Sequence, residues 1–346
     1  MPFDILACGF NAHGQLLPRE DDAAIPADIF TPTVIARAET SAKVLFAGWS
    51  ETLLELDNKL HHRGAGSLQP LPHSCKPPYR AFGDGLGLKV ILGGGDGGDQ
   101  TTAYVPAPSG EWECHTLAEK VDIIAIAGNG EVLSTSDGTV IHAHPTLASL
   151  LTCHPPTATH PFPTDDRITA IAATATAFTL LGASGRIYTA GDPRHGSLLA
   201  RDTALTPPDA PGLVDALDGI AIAEVAAGGW VGAALSAEQD VYLWGGRAGD
   251  EGVIGDLRGE EEVGVGDVGG GVDVVGVGVG MGHVVVLTEG GRVWGVGRAG
   301  SGQLGGGEGV EFCEEWREID VLGESEGRVV EVVAGGWATF VVVERP

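Results

Sequence analysis

Basic residues are scarce in this chain. Its 346 residues include 20 lysines and arginines against 47 aspartates and glutamates, which gives a formal net charge of −27, and no lysine follows Lys120. Nucleic acids and anionic membranes are bound mainly through lysine and arginine side chains that neutralise phosphates. We therefore expect no direct binding to nucleic acid or to a membrane surface. The acidity by itself indicates a soluble protein.

Paired cysteines and long apolar runs are also missing. The five cysteines are scattered and never form a Cys-x-x-Cys pair, which favours a reducing compartment. The longest apolar run, 274–287, is too short to span a bilayer and is interrupted by glycines and His283. The first residues lack the positively charged segment of a signal peptide. We expect a cytoplasmic protein, with the nucleus as a second location.

Glycine and proline, in contrast, are abundant, with 55 and 20 residues. These numbers are too high for a helical protein and favour many short strands joined by tight turns. The Gly/Val/Glu-rich stretch 245–311 has disorder as a competing interpretation. Its alternating valines and its tryptophans favour folded strands, because disordered segments are poor in β-branched and aromatic residues. The chain is predicted to be all-β.

A glycine-rich phrase returns along the chain. It reads Gly-Phe-Asn-Ala-His-Gly-Gln-Leu at 9–16 and Gly-Arg-Ala-Gly-Ser-Gly-Gln-Leu-Gly at 297–305, with weaker copies at 191–198 and 245–255. Each copy follows a short strand-like run, such as Val241–Gly245. Such repetition indicates supersecondary units that stack on their neighbours to bury their apolar faces.

Runs rich in small and β-branched residues predict one inner strand for each repeat. Hairpin signals such as Glu289-Gly290-Gly291 then mark a second and a third strand. The segment 329–343 has inner strands only, and 3–16 has an outer strand only, so the two chain ends should complete one sheet and close a ring. The predicted inner strands are 43–48, 80–83, 121–127, 168–172, 222–228, 272–278 and 329–335.

We therefore predict a single domain, a seven-bladed β-propeller. The second blade is the least regular in sequence, because the glycines at 93–95, 97 and 98 obscure its strands. The approximate blades are 30–75, 76–118, 119–160, 165–205, 218–260, 270–315, and 325–346 together with 2–17.

The repeated phrase resembles the repeat of the regulator of chromosome condensation (RCC1-type) family, in which Gly-x-Asn-x-x-Gly-Gln-Leu-Gly follows a Val-Tyr/Trp-x-Trp-Gly strand. Residues 11–16 and 301–305 are the close matches, and the resemblance covers essentially the whole chain. It implies a seven-bladed propeller. Within the family, the short length, the acidity and the lack of a basic tail are most similar to the fungal alpha-tubulin suppressors, also called killer-toxin-insensitivity proteins.

That resemblance implies a partner and a process. The fungal proteins form a heterodimer with a small CSL-type zinc protein. The pair supports diphthamide synthesis on elongation factor two and Elongator-dependent modification of the tRNA wobble uridine. By resemblance, we expect a monomeric propeller that binds such a zinc protein and reaches Elongator only indirectly.

Three predicted turns after inner strands carry tryptophan at the same offset, Trp49, Trp230 and Trp337, and the sixth repeat has His283 one place later. In a propeller these turns surround the central axis on one face, where tryptophan makes a rigid anchor for a partner. We predict these four residues as partner-binding. The alternative is that each ring packs on the neighbouring blade and only seals the ring.

Catalytic and metal-binding patterns are weak. No Gly-x-Ser-x-Gly motif or phosphate-binding loop is present. His142 and His144 share one face of a predicted strand, but neither they nor the Cys-His pairs at 114–115 and 153–154 have zinc-site spacing. We expect no enzymatic activity, no cofactor and no metal of the protein's own.

The leading hypothesis is therefore a non-catalytic protein-interaction module. The alternative is guanine-nucleotide exchange on a Ran-like small GTPase. A wedge-like loop suffices for that activity and leaves no sequence motif, and the predicted loops at 250–262 and 308–318 are candidates. The acidic run 260–262 on the first loop is more simply a solvated segment.

Overall fold

The chain folds into short antiparallel sheets arranged around an axis. The structure is a computed structural model that describes residues 1–17, 26–65, 68–72, 74–94, 101–162, 166–246, 257, 263–323 and 326–346. The only α-helix among these residues is α1 (Leu147–Leu151), and short 3₁₀ turns cover Pro193–Leu198 and Asp215–Leu217. None of the described helices has the length and apolar character required to cross a membrane.

Strands make up most of the described chain. In chain order they are β1 (Phe3–Gly9), β2 (Ile29–Ala38), β3 (Ala42–Ala47), β4 (Glu51–Leu56), β5 (Lys59–Gly64), β6 (Lys76–Asp84), β7 (Gly87–Gly94), β8 (Thr102–Pro106), β9 (Trp112–Thr116), β10 (Ile123–Ile126), β11 (Val132–Thr135), β12 (Val140–His144), β13 (Ala158–Pro161), β14 (Ile168–Ala173), β15 (Ala177–Gly182), β16 (Ile187–Gly191), β17 (Gly212–Leu213), β18 (Ile222–Gly228), β19 (Val231–Ser236), β20 (Val241–Gly245), β21 (Val263–Val265), β22 (Val274–Val279), β23 (His283–Thr288), β24 (Val293–Arg298), β25 (Phe312–Ile319), β26 (Arg328–Ala334) and β27 (Ala338–Glu344).

These strands form seven sheets, one for each blade of a propeller. The first six blades are β3-β4-β5, β6 to β9, β10 to β13, β14 to β17, β18 to β21 and β22 to β25, each in sequence order from the axis outwards. The seventh is β26-β27-β1-β2. The seven-bladed, all-β fold is thus confirmed, and each predicted inner strand overlaps the first strand of a sheet. The second blade has four strands despite its irregular glycines.

The seventh sheet joins the two ends of the chain. β1 pairs with β27, so that Phe3 lies opposite Glu344 and Gly9 opposite Ala338. The prediction that strands from both ends close the ring is confirmed. β2 also belongs to this sheet, and residues 30–38 were wrongly predicted for the first blade. The reason is that the phrase at 9–16 follows a third strand, so the next strand completes the same sheet.

Apolar clusters fill the spaces between neighbouring blades. One cluster combines Leu54 of the first blade with Ile5 and Phe340 of the seventh, and another combines Leu243 of the fifth blade with Val284 of the sixth. The second strand of a blade is covered on both faces, so every residue of β23 is buried. Such a strand reads as a continuous apolar run with no alternation.

Backbone hydrogen bonds connect the turns between the first and second strands of neighbouring blades. We call the face that carries these turns the rim face. The approach is close enough that a Cβ on Gly336 would lie 2.7 Å from the backbone nitrogen of Trp49. The result is a rigid ring of turns around the axis. The bonds are Trp49 N to Gly85 O, Asn129 N to Ala175 O, Ala175 N to Gly229 O, Met281 N to Gly336 O and Gly336 N to Ala47 O, at 2.7 to 3.2 Å.

Candidate functional site

The inner strands surround a cavity of about 630 Å³ whose lining includes the turns of the rim face. Small residues form much of the wall, because the inner strands end in alanine and glycine. Larger side chains that line it are Phe46, Phe82, Met281 and Trp230. Concave apolar sites with rigid walls are the usual location of binding sites in folded domains.

A group of aromatic rings lies on the rim face where the seventh blade meets the first. The ring of Phe10 stacks on Trp49 at 5.9 Å between centroids and 10° between planes, and meets Trp337 edge-on at 5.7 Å. The His13 ring lies 5.0 Å from that of Trp49, also edge-on. We call Phe10, His13, Trp49 and Trp337 the rim aromatic cluster. Aromatic pairs with these geometries are favourable beyond the area that they bury.

The repeated phrase holds this cluster in place. The side-chain amide of Gln15 donates to the carbonyls of Phe10, at 2.8 Å, and Trp49, at 3.0 Å, and its oxygen accepts from the N–H of His13 at 3.1 Å. The N–H of Phe10 donates to the carbonyl of Trp337 at 2.8 Å. Gln15 is almost fully buried. The phrase therefore fixes one loop and two turns relative to each other.

The three predicted tryptophans differ in exposure. Trp337 is 37% exposed, whereas Trp49 and Trp230 are half-buried. Trp230 packs against a small buried cluster that includes Leu198, and its ring lies 4.7 Å from that of His195. Both interpretations of these residues therefore describe part of the arrangement, since the rings pack between elements and Trp337 still presents surface to a partner.

His283 does not occupy the rim surface. It is 1% exposed, and its Nε2 atom lies 3.2 Å from Oγ1 of Thr339, so it connects β23 to β27. Burial lowers the pKa of His283 to about 4. Its prediction as a contact residue was wrong, because His283 begins the second strand and the turn is made by Gly280–Gly282. A side chain that starts this strand is covered by the next blade.

Sequence reasoning missed three residues of the site. Phe10 and His13 stand inside the repeated phrase, and their position next to the turn of the neighbouring inner strand could have indicated them. Leu86 is 58% exposed in the turn between β6 and β7, at the edge of the cavity. No periodic signal marks an exposed leucine in a tight turn.

Charge is distributed unevenly between the two faces. Carboxylates near the rim are engaged: Glu51 pairs with His62 at 2.7 Å, and Asp84 lies 3.4 Å from the amine of Lys89. Turns on the opposite face carry many of the acids. They include Asp57, Asp137, Glu238, Asp240 and Glu289. The rim face therefore combines aromatic surface with few unpaired carboxylates.

The other candidate sites have less support in the structure. Among the described residues, no group of three His, Cys, Asp or Glu side chains is arranged to hold a metal. Nε2 of His144 lies 3.3 Å from Oγ of Ser134 in the buried interior of the third blade. The loop 250–262, including the acidic run 260–262, lies outside the described residues except for Leu257. Most of 308–318 forms β25, which leaves little of it as a free loop.

Comparisons with known proteins agree with this fold. No protein-family model matches the chain. It is 26% identical over 242 residues to mouse RCC1 domain-containing protein 1, and 42% identical over 66 residues to the human protein of that name. These matches cover 68% and 19% of this chain, and 60% and 17% of the mouse and human proteins. A 146-residue match, 41% of this chain and 3% of the relative, is 32% identical to human E3 ubiquitin-protein ligase HERC2.

Solved structures extend the likeness to the whole chain. Human WBSCR16 superimposes with a TM-score of 0.69 at 15% identity, covering 99% of both chains. Saccharomyces cerevisiae Prp20p, whose binding to Gsp1p and histones has been described, gives 0.70 at 13% identity, covering 100% of this chain and 92% of its own. Identities this low show the fold alone. The chain is thus an RCC1-like propeller that is similar in sequence to RCC1 domain-containing proteins.

Proposed function

We propose that this protein is a non-catalytic interaction module that binds a protein partner on its rim face. The observation that carries the proposal is the rim aromatic cluster beside the open cavity. Tryptophan and other aromatic residues in rigid, partly buried positions are the residues that most often dominate binding energy at protein interfaces. Exposed Trp337 and Leu86 lie on this face, and both are held by turns of the hydrogen-bonded ring.

The rigidity of the face supports the proposal. Ordering flexible side chains and loops on binding costs free energy, and a pre-organised surface avoids much of that cost. Here the backbone turns are bonded to each other, and Gln15 fixes the loop that carries Phe10 and His13. A partner would therefore meet a surface that needs little rearrangement.

Affinity purification with matched variants tests this proposal. The tagged protein is recovered from its own cells as wild type, as Trp337→Ala and as Glu289→Ala, and bound proteins are identified by mass spectrometry. Glu289 is an exposed residue of the opposite face, so its substitution is the control. We expect at least one partner to be lost with Trp337→Ala and retained with Glu289→Ala. Recovery of the same partners with all three proteins would contradict the proposal.

For the identity of the partner, we propose a small CSL-type zinc protein. The support is the resemblance of the repeat, acidity and length to proteins that act with such a partner in diphthamide synthesis and in Elongator-dependent tRNA modification. The direct measurement is calorimetric titration of the purified protein with a recombinant CSL protein carrying its zinc. A 1:1 complex weakened by Trp337→Ala is expected, and no heat of binding would remove this partner.

The alternative function is guanine-nucleotide exchange on a Ran-like small GTPase. The fold shared with Prp20p is compatible with it, and the short loop around β25 offers little to act as a wedge. A GDP-release assay separates the two functions. Faster release at substoichiometric amounts of this protein would favour exchange, and unchanged release would favour the interaction module.

A further inference from the structure

Two carboxylates lie deeper in the ring than the apolar cavity. Glu224 on β18 and Glu331 on β26 come three residues before Ala227 and Ala334, which line the cavity. At about 3.3 Å per strand residue, they are about 10 Å further along the axis. Both belong to innermost strands, so the lumen passes from an apolar part near the rim to an acidic part below it.

The surroundings of the two carboxylates are unusual for surface glutamates. Burial raises the pKa of both, and the charge of Glu331 raises that of Glu224 further. A backbone N–H of Val277 bonds to Glu224, and the charge of Lys43 acts on Glu331 in the opposite direction to burial. Glu331 keeps contact with water, which on an innermost strand means water of the lumen, although protein atoms surround it.

The sixth blade leaves space between these carboxylates. It contributes Gly276 at the corresponding bulge position, directly after the irregularity that also precedes Glu224 and Glu331 in their strands. A Cβ on Gly276 would meet its nearest atom, Cβ of Leu287, only at 3.7 Å. The two carboxylates therefore flank a blade that has no side chain at this level.

Charge and surface chemistry both favour a cationic occupant. A net charge of −27 attracts a basic segment and repels an acidic one. Aromatic faces such as those of Trp337 and Trp49 attract the guanidinium of arginine and the ammonium of lysine. Both of these side chains also have aliphatic stems that pack against apolar walls while the charged end remains in a polar environment.

We propose that the lumen is a subsite for one arginine or lysine side chain of the partner, with its stem between Phe46, Phe82 and Met281 and its cation directed towards Glu224 and Glu331. This subsite depends on the proposed function, because the partner segment reaches the lumen from the rim face. The occupant is thus an extended basic segment of a protein, and the exposed aromatic residues hold the backbone on either side of the inserted residue.

Fluorescence anisotropy with two labelled peptides tests the subsite on the full-length protein. One is a Gly-Ser peptide with a single central arginine, and the other replaces that arginine by citrulline, which has nearly the same shape without the charge. We expect the arginine peptide to bind about tenfold more tightly, because a cation loses most when its partner carboxylates are absent or unused. Equal affinities, or no binding of either peptide up to about 1 mM, would overturn the inference.

Charge-matched variants exclude a general electrostatic effect. Glu331→Gln and Glu224→Gln should reduce the preference for arginine severalfold, whereas Glu289→Gln, with the same change in net charge on an exposed turn, should leave it unchanged. Thermal unfolding checks that each variant is folded. Equal effects of all three substitutions would contradict the subsite. If Trp337→Ala removes a cellular partner while the peptides bind equally, the proposed function stands and the subsite alone fails.

Discussion

The buried imidazole of His283 predicts a pH-dependent stability that can be worked out from the structure. Burial lowers its pKa from 6.5 to about 4 in the folded protein. The unfolded chain therefore binds this proton at a higher pH than the folded protein does. The stabilisation is complete above pH 6.5 and is lost as the pH falls towards 4. With 1.36 kcal/mol per pKa unit, the loss from this residue between pH 7 and pH 5 is about 2 kcal/mol.

Urea unfolding at pH 7 and at pH 5 measures this loss for the wild type and for His283→Gln. Other groups that titrate in this range contribute to both proteins, so the difference between them isolates His283. The wild type should lose about 2 kcal/mol more than the variant on acidification. Thr339→Val is the control, because it removes the hydroxyl 3.2 Å from Nε2 and leaves the imidazole in place. Equal losses in wild type and His283→Gln would refute the reasoning.

Three further predictions concern the closing blade and the rim. Phe340→Ala removes a ring that is 1% exposed between the first and seventh blades, and it should lower the free energy of unfolding by about 3–5 kcal/mol in urea titrations; a loss below about 1 kcal/mol would mean that the cavity collapses or that the cluster is not packed as described. Ala7→Pro places proline in β1, which pairs on both sides with β2 and β27, so limited proteolysis should cleave the seventh blade faster than in the wild type; an unchanged cleavage pattern would contradict the closure. Trp337→Ala should change stability by about 1 kcal/mol or less because the ring is 37% exposed, so that lost partner binding with unchanged thermal unfolding identifies a contact residue, whereas a large drop in the unfolding temperature would identify a structural one.

Local patterns predicted the strands and the closure of the ring. The inner strands are recognisable because small and β-branched runs end in glycine turns, and the third strands because the repeated phrase follows them. The assignment of β2 failed because nothing in its own sequence distinguishes a fourth strand of one blade from a first strand of the next. That distinction depends on the position of the phrase at 9–16 within its sheet.

The site was less predictable than the fold. The common offset of Trp49, Trp230 and Trp337 follows from the repeat, but their exposure depends on what the neighbouring loops place over them. His283 illustrates the limit: one residue of difference in the turn moves a side chain from the rim into the core. Glu224 and Glu331 are far apart in sequence, and only the ring brings their two strands to opposite sides of β22.

Site-specific photo-crosslinking tests the central claim most directly. A benzophenone amino acid replaces Ser50, which adjoins Trp49 on the rim face, in one protein, and Glu289 on the opposite face in another. After irradiation of the complex with its purified partner, we expect a crosslink from position 50 and none from position 289. Crosslinking from position 289 alone would show that the partner binds the opposite face, and the proposed role of the rim would be wrong.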